Sequence, residues 1–313
     1  MKNLYIKLLP ISLFFLVISP FQVSCANLKE NTKSGVRTID IDKKFKGIKT
    51  QAGLEIVYTQ NSEPSKAIIS GPENIVQGIT WETDNNGILS FQYPKQEKNN
   101  GKVTIQLNGE NLYNYQASSA GIIKVLSPCI SPGMLNISVT SSGKIIMFKK
   151  VDSKNNVINI AGSSGGEIIF NESLSGNVIN ITTSSSAIVK ISSLNASPLN
   201  FAGSSTGILE IQNLNSNVTN VTLSSGSEFS CNQGVIKTLN LSATSGGEAS
   251  FKNINATTLN IEVSSSASTT LKGYCEEANL KASSGGEINC KELKVDKITN
   301  SSTSSRGSII LKK

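Results

Sequence analysis

The chain has 313 residues, of which 38% are apolar and only 5% aromatic, with a formal net charge of +7 and no histidine. So few large aromatic side chains argue against a closed, roughly spherical core and suit a repeat protein, in which each repeat packs only on its neighbours. Lysines and glutamates are scattered, without the basic stripe and aromatic platforms that a nucleic-acid partner requires, so we expect no nucleic acid.

Residues 1–25 have the pattern of a signal peptide. Two lysines precede an apolar stretch that is too short to span a membrane. Two ways of processing fit the residues that follow: cleavage by signal peptidase after Ala26, or lipidation of Cys25 as in a bacterial lipobox, although Gln22 departs from the usual leucine. We therefore expect an exported protein, either a lipoprotein anchored to the outer membrane or cell surface through Cys25, or a soluble periplasmic or secreted form.

Residues 26–35 are expected to form a linker, and residues 36–108 the irregular first coils of a solenoid. The stretches "FKGIKTQAGLEIVYTQ" and "ITWETDNNGILSFQYP" each predict a strand, a turn and a second strand, with loops at "SGPEN" and "YPKQEKNNG". An uncapped solenoid end exposes apolar surface and unpaired backbone. We therefore expect this segment to close one end of the core.

Residues 109–313 repeat one motif, an asparagine followed by a strand and a turn rich in serine and glycine. A glycine loop that binds phosphate occurs once, between one strand and one helix, whereas a turn that recurs at a near-constant period indicates a repeat architecture. The asparagines that begin the ten copies are spaced 19 to 23 residues apart: Asn114, Asn136, Asn159, Asn180, Asn200, Asn220, Asn240, Asn260, Asn279 and Asn300.

Apolar residues recur at fixed positions after each turn and predict three inward-facing columns. The fold class is therefore all-β, a parallel β-helix or solenoid with about 20 residues per coil and coils about 4.8 Å apart. Representatives of the first column are Ile168, Val189 and Leu209, those of the second are Phe170, Ile191 and Cys231, and the third contains Leu174, Leu194, Leu214, Ile254, Tyr274 and Leu293.

The cysteines are predicted to be unpaired. Cys231 and Cys290 share an inward column but lie three coils apart, about 14 Å at the strand spacing, whereas a disulfide needs Cα atoms within about 7 Å. Cys275 follows the inward Tyr274 and is expected at a turn. We interpret the cysteines as small apolar core residues.

The residue before each turn alternates in size along the chain. The turns alternate with it, for example "SSGGE" after Gly162 and "SSSA" after Thr183. We interpret this alternation as a sequence unit of two coils with two interleaved turn geometries. The alternating residues are Ala117, Val139, Gly162, Thr183, Gly203, Leu223, Ala243, Val263, Ala282 and Thr303.

Residues from about 36 to 312 resemble the GIN-domain family, described as the head domain of autotransporter adhesins in Bacteroidetes-type bacteria. The resemblance rests on "RTIDIDKKFKGIKTQAGLEIVYTQ", on "ISGPENIV" followed by "GILSFQY", and on the coils of the "SSGG" kind. It implies a right-handed β-helix at the cell envelope with no established reaction. Because no translocator barrel follows "SIILKK", we do not expect autotransport.

The most regular exposed feature is a row of outward asparagines with two flanking threonines. Two interpretations remain open: stacked amides that hydrogen-bond along the rod, or a flat face rich in amides and hydroxyls that binds surface glycans or other envelope components. The candidate binding residues are Asn180, Asn200, Asn220, Asn240, Asn260, Thr182 and Thr222.

Catalysis is not expected, because general acid–base chemistry needs two groups with different environments close to one bond. Of the glutamates after the turns, only Glu228 and Glu248 lie on adjacent coils, and the regular coils between Asn159 and Asn279 contain no aspartate. We expect no metal and no cofactor. The sequence thus predicts an exported cell-envelope solenoid with an adhesive or structural role; the alternative is a glycan-binding module or a polysaccharide-active β-helix enzyme.

Overall fold

Stacked β-strands make up nearly all of the computed structural model, which describes residues 33–94, 101–131, 133–153 and 156–312. The first strands are β1 Ser34–Asp40, β2 Gly47–Thr50, β3 Glu55–Gln60, β4 Lys66–Pro72, β5 Thr80–Thr83, β6 Ile88–Gln92 and β7 Thr104–Gly109, with one helix, α1 Glu73–Gly78. The following strands are β8 Asn114–Ala117, β9 Ile122–Val125, β10 Cys129–Ile130, β11 Leu135–Val139, β12 Lys144–Met147, β13 Val151–Asp152, β14 Val157–Gly162, β15 Glu167–Ser175, β16 Val178–Thr183, β17 Ile188–Ala196, β18 Leu199–Gly203, β19 Ile208–Leu223, β20 Glu228–Ala243, β21 Glu248–Val263, β22 Ser268–Ala282, β23 Glu287–Thr303 and β24 Ser308–Leu311.

The predicted solenoid is confirmed, because every strand from β8 onward pairs in parallel with its equivalent in the neighbouring coil. One coil shows the plan. Residues 239–243 form the first wall, 244–247 a tight turn, 248–251 the second wall and 254–256 the third wall, and buried and exposed side chains alternate along each wall. This alternation follows from the pleat of a strand, which sends successive side chains to opposite faces.

The N-terminal part is less regular and closes one end of the core, as expected. Strand β4 pairs antiparallel with β1 and β7, and β5 pairs antiparallel with β6. Helix α1 buries Ile75 and Val76. The prediction of a loop at "SGPEN" is wrong, because Ser70–Pro72 end strand β4 and Glu73 and Asn74 begin the helix. No helix in the described part of the chain has the length and hydropathy of a membrane span.

The core consists of the predicted inward columns. Phe229 lies between Phe201 and Phe251, with ring centroids 5.8 and 5.1 Å apart. The prediction that Tyr274 lies in the third column is wrong, because the coil from Asn260 to Asn279 is one residue short and its pairing register shifts. Gly273 therefore pairs with Ile254, Tyr274 points outward, and Cys275 is fully buried in the core rather than at a turn.

The ten turns that end the first wall share a single conformation, so the prediction of two turn geometries is wrong. Both central residues have positive φ, between 48° and 53° at the first and between 59° and 75° at the second, as in type I′ turns. The N–H of the second central residue donates to the carbonyl of the first central residue one coil later, for example from Gly165 to Ser185 at 2.9 Å. Such stacking requires neighbouring turns to have the same shape.

The size alternation reflects packing between coils instead. The residue before a turn lies against the residue that ends the turn one coil later. A Cβ on Gly166 would lie 2.6 Å from Cγ2 of Val139, whereas a Cβ on Gly162 would lie 3.0 Å from that of Ala187. Large residues thus face glycine in the pairs Val139–Gly166, Thr183–Gly207 and Leu223–Gly247, and a glycine faces alanine or serine in Gly162–Ala187 and Gly203–Ser227. Gly143, Gly286 and Gly307 instead lie against the backbone of Ala117, Val263 and Ala282.

Candidate functional site

The asparagines of the repeat lie in register in one outward column of the first wall. Each pairs with its equivalent in the next coil, from Asn114 to Asn300. Their apolar neighbours point into the core, which forces the asparagine side chains outward. The structure therefore places all five predicted asparagines, Asn180, Asn200, Asn220, Asn240 and Asn260, in a single row.

The side chains of this row form a continuous hydrogen-bonded ladder. Nδ2 of Asn159 donates to Oδ1 of Asn136 at 3.0 Å, and the same bond repeats in every coil up to Asn279, at 2.8 to 3.0 Å. An amide has two N–H donors and an oxygen with two lone pairs. The ladder uses one donor and one lone pair of each interior asparagine and leaves the other donor and lone pair unused.

Thr182 and Thr222 flank the ladder on its turn side and are exposed. Between Asn220 and Asn300 the first wall lines a groove of about 460 Å³. Ser242 and an ion pair between Glu262 and Lys281, 2.6 Å apart, continue the threonine column along this groove. These three residues are not among the predicted binding residues, although their position in the repeat is that of Thr182 and Thr222.

The first wall and its turns are uncharged over most of their length. Among the described residues of this surface, none from Asn114 to Ile261 carries a charge. The charged side chains on either side of this stretch are Lys49 of β2, paired with Gln116, and Glu262. The charges of these coils lie on the second and third walls and at the corners, as Lys144, Glu167 and Lys190 do. We call this uncharged surface the neutral face.

The glutamates considered for catalysis lie on the second wall, away from the ladder. Glu228 and Glu248 pair directly in register, are both exposed, and stand in equivalent positions of a flat strand face. Glu167 binds Lys144 at 2.6 Å. Within the described ranges, no group of three or more histidine, cysteine, aspartate or glutamate side chains could hold a metal ion. The carboxyl groups of Glu228 and Glu248 thus have equivalent surroundings, whereas general acid–base catalysis needs two groups with different environments.

The four cysteines of the described region are unpaired and buried, as predicted: Cys129, Cys231, Cys275 and Cys290. Burial raises the pKa of the Cys231 and Cys290 thiols to about 12 and that of Cys275 to about 11. Because the thiolate is the reactive form, these residues are core side chains rather than nucleophiles. Cys25, the predicted lipidation site, lies outside the described residues.

Fold and site together define a β-solenoid whose exposed repetitive wall, and not a deep pocket, is its most regular surface. The chain belongs to the family described as "Putative auto-transporter adhesin, head GIN domain", whose model matches residues 44–232 and 214–312. This match confirms the resemblance seen in the sequence. No curated protein matches the chain.

Two crystal structures of bacterial proteins share the fold. One is described as a putative adhesin from Parabacteroides distasonis; it is 16% identical, has a TM-score of 0.57, and the match covers 90% of this chain and 98% of that one. The other is described as a putative adhesin from Parabacteroides merdae, with 17% identity, a TM-score of 0.56, and coverage of 88% and 97%. At this identity the likeness supports the fold alone.

Proposed function

We propose that the chain is an exported, non-catalytic adhesin of the cell envelope whose neutral face binds uncharged surface glycans. The observation that carries the proposal is the asparagine ladder, in which each interior amide keeps one donor and one lone pair free for a ligand. Membership of a family described as an adhesin head domain supports the adhesive role. A lipid anchor at Cys25 would hold the solenoid at the membrane.

The absence of charge along the neutral face favours an uncharged ligand. An anionic polymer would need lysine or arginine next to its acid groups. The lysines of the coils from Asn114 to Ile261 lie on other walls, and Lys281, farther along the groove, is paired with Glu262 at 2.6 Å. Hydroxyls of a sugar are matched by amides and by hydroxyls such as those of Thr182 and Thr222, each of which can donate and accept. The groove between Asn220 and Asn300 would hold part of such a chain.

Binding by such a face is distributed over several coils. The eight asparagines from Asn114 to Asn260 span about 34 Å at a strand spacing of about 4.8 Å. Each coil contributes weakly, and strength comes from engaging several coils at once, as in multivalent binding. One substitution should therefore matter little, whereas a block of substitutions should abolish attachment.

The test compares variants of the groove for binding to beads coated with neutral polysaccharides, such as dextran and xylan, or with anionic alginate. Replacing Asn220, Asn240 and Asn260 together by lysine should abolish binding to a neutral polymer, while Asn240→Lys alone should weaken it only slightly. The double variant Thr222→Arg/Ser242→Arg should also abolish binding, since it adds bulk and charge to the groove and leaves the ladder intact.

The matched control is Ser230→Arg/Ser250→Arg, which makes the same change at register-paired positions of the second wall. Circular dichroism checks that each variant is folded. Binding that is confined to alginate, binding that survives the Thr222/Ser242 change, or the loss of all binding through Glu228 or Glu248 alone would contradict the proposal.

A further inference from the structure

The second wall carries an apolar surface on its outer side, which the asparagine face does not explain. Eight strands pair side by side here in the order β4, β7, β3, β9, β12, β15, β17 and β19. Their outward residues form two in-register columns. One column is Ser70, Thr104, Glu55, Ile122, Lys144, Glu167, Ile188 and Ile208, and the other is Ile68, Gln106, Val57, Lys124, Ile146, Ile169, Lys190 and Glu210.

Five neighbouring strands each present one isoleucine and one charged residue on this outer side: β9, β12, β15, β17 and β19. The isoleucines are Ile122, Ile146, Ile169, Ile188 and Ile208, and all are half-buried on the surface. Leu126 and Ile68, at the edges of the same area, are 44% and 40% exposed. We call this area the isoleucine face. Its strands are apolar on both sides, a pattern typical of sheets that are covered on both faces.

The remaining coils provide an internal comparison. From β20 to β23 the same two columns hold only polar residues, such as Ser230, Ser250 and Thr270. A second wall with a polar outer side is thus compatible with this fold. The run of isoleucines in the first half is not a requirement of the coil, and contiguous apolar surface of this kind marks an interaction site.

We propose that the isoleucine face is the interface of a homodimer, in which two copies pack their second walls against each other. Eight strands spaced about 4.8 Å apart, each with four residues that rise about 3.3 Å per residue, give a surface of roughly 38 by 13 Å, or about 500 Å² per copy. The total of roughly 1,000 Å² reaches the lower limit for a specific interface. Two sheets packed in this way interdigitate their side chains, as in a β-sandwich.

The charges of the isoleucine face favour a second copy over an anionic membrane. Its lysines already bind carboxylates of adjacent strands: Lys124–Glu55 at 3.1 Å, Lys144–Glu167 at 2.6 Å and Lys190–Glu210 at 3.7 Å. An anionic bilayer would attract free lysines and repel Glu167 and Glu210. In an antiparallel pair of copies that share all eight strands, the two-fold axis lies between β9 and β12, so Ile146 lies near the axis and Ile169 of one copy meets Val57 of the other.

The first experiment is sedimentation equilibrium of the purified chain. We expect a monomer–dimer equilibrium with a dissociation constant on the order of 10 µM, given the small interface. The double variant Ile146→Lys/Ile169→Lys should raise this constant by roughly tenfold or more, because the substitutions lie at the centre of the apolar area. The control is Ser230→Lys/Ser250→Lys, which adds the same charge in the same outward column but outside the isoleucine face, and it should leave the dissociation constant unchanged.

The second experiment does not depend on how the charged variants fold. Ile146→Cys should be joined to the same residue of a second copy by a bismaleimide that spans about 10 Å, the distance between packed sheets, whereas Ser250→Cys should not. A chain that is monomeric throughout the concentration range, or a dimer affected equally by both lysine pairs, would overturn the proposal. So would a monomer that binds anionic vesicles through Ile146 and Ile169, since the face would then be a lipid-binding surface. Glycan binding by the neutral face is measured separately and lies on another wall.

Discussion

Filling the space beside Gly162 should destabilise the solenoid, and removing the facing methyl group should reverse part of the effect. The Cβ of a substituted residue would lie 3.0 Å from the Cβ of Ala187 in the next coil, while its other neighbours, Val139 and Val189, lie at ordinary contact distances of 3.7 and 4.0 Å. The Ala187 contact therefore dominates. Gly162→Val adds two further methyl groups at this point, and overpacking of this kind costs about 1–3 kcal/mol.

The double variant Gly162→Val/Ala187→Gly recreates the arrangement one coil earlier, where Val139 faces Gly166. Ala187→Gly alone should cost about 1 kcal/mol through the greater backbone freedom of glycine in the unfolded chain. If the contact between residues 162 and 187 causes the size alternation, the double variant should lose less unfolding free energy than the two single variants together. The difference should be about 1 kcal/mol or more, a typical coupling between touching residues.

The measurement is the free energy of unfolding in urea for the wild type, both single variants and the double variant. Gly162→Val/Ala267→Gly serves as the control, because Ala267 has the same position in its turn as Ala187 but lies five coils from Gly162, about 24 Å at the strand spacing. Its effects should add within about 0.5 kcal/mol. Equal coupling in the two pairs, or no coupling in either, would refute the packing explanation of the alternation.

Two further predictions concern the start of the chain. Burial would raise the pKa of the Glu55 carboxyl, but hydrogen bonds and charge from Lys102 and Lys124 outweigh burial, so its pKa lies below the ordinary value of 4.5. The charged Glu55 therefore stabilises the fold fully above pH 4.5, and this stabilisation is lost as the pH falls through the lowered pKa. Glu55→Gln should therefore be less stable at neutral pH and lose less stability on acidification, as followed by thermal unfolding at a series of pH values; parallel curves for both proteins would contradict this. Labelling cells with a palmitate analogue should mark the wild type and not Cys25→Ser, and equal labelling of both, or of neither, would rule out the lipid anchor.

Most of the fold could be predicted because one simple pattern repeats ten times. Each copy fixes the same alternation of buried and exposed positions, so an error in one copy is corrected by the others. Tyr274 shows where this fails: in a coil one residue short, the sequence does not say which corner absorbs the deletion. The structure places it before Gly273, whose φ of 119° and close approach to Ile254 suit only glycine.

The turn geometry and the isoleucine face could not be obtained from the repeat alone. The alternation of Gly162 with Thr183 is visible in the sequence, but its cause is a contact between successive coils, and the size of a residue does not reveal which neighbour it faces. The sequence also shows two successive isoleucines in "GIIKV", "KIIMF" and "EIIF". Only the register shows that one isoleucine of each pair points outward and joins the others in a single surface.

The structural and ligand-binding interpretations of the asparagine ladder support each other physically. A free asparagine side chain samples several rotamers, and immobilising a side chain on binding costs about 0.5–1.5 kcal/mol. In the ladder each interior amide is already held by its neighbours on both sides, as Asn240 is by Asn220 and Asn260 at 2.9 Å. The bonds that stiffen the rod therefore also orient the remaining donor and acceptor of each coil in the same direction. A ligand that spans several coils would meet these groups already ordered, so the cost of ordering them is met on folding rather than on binding.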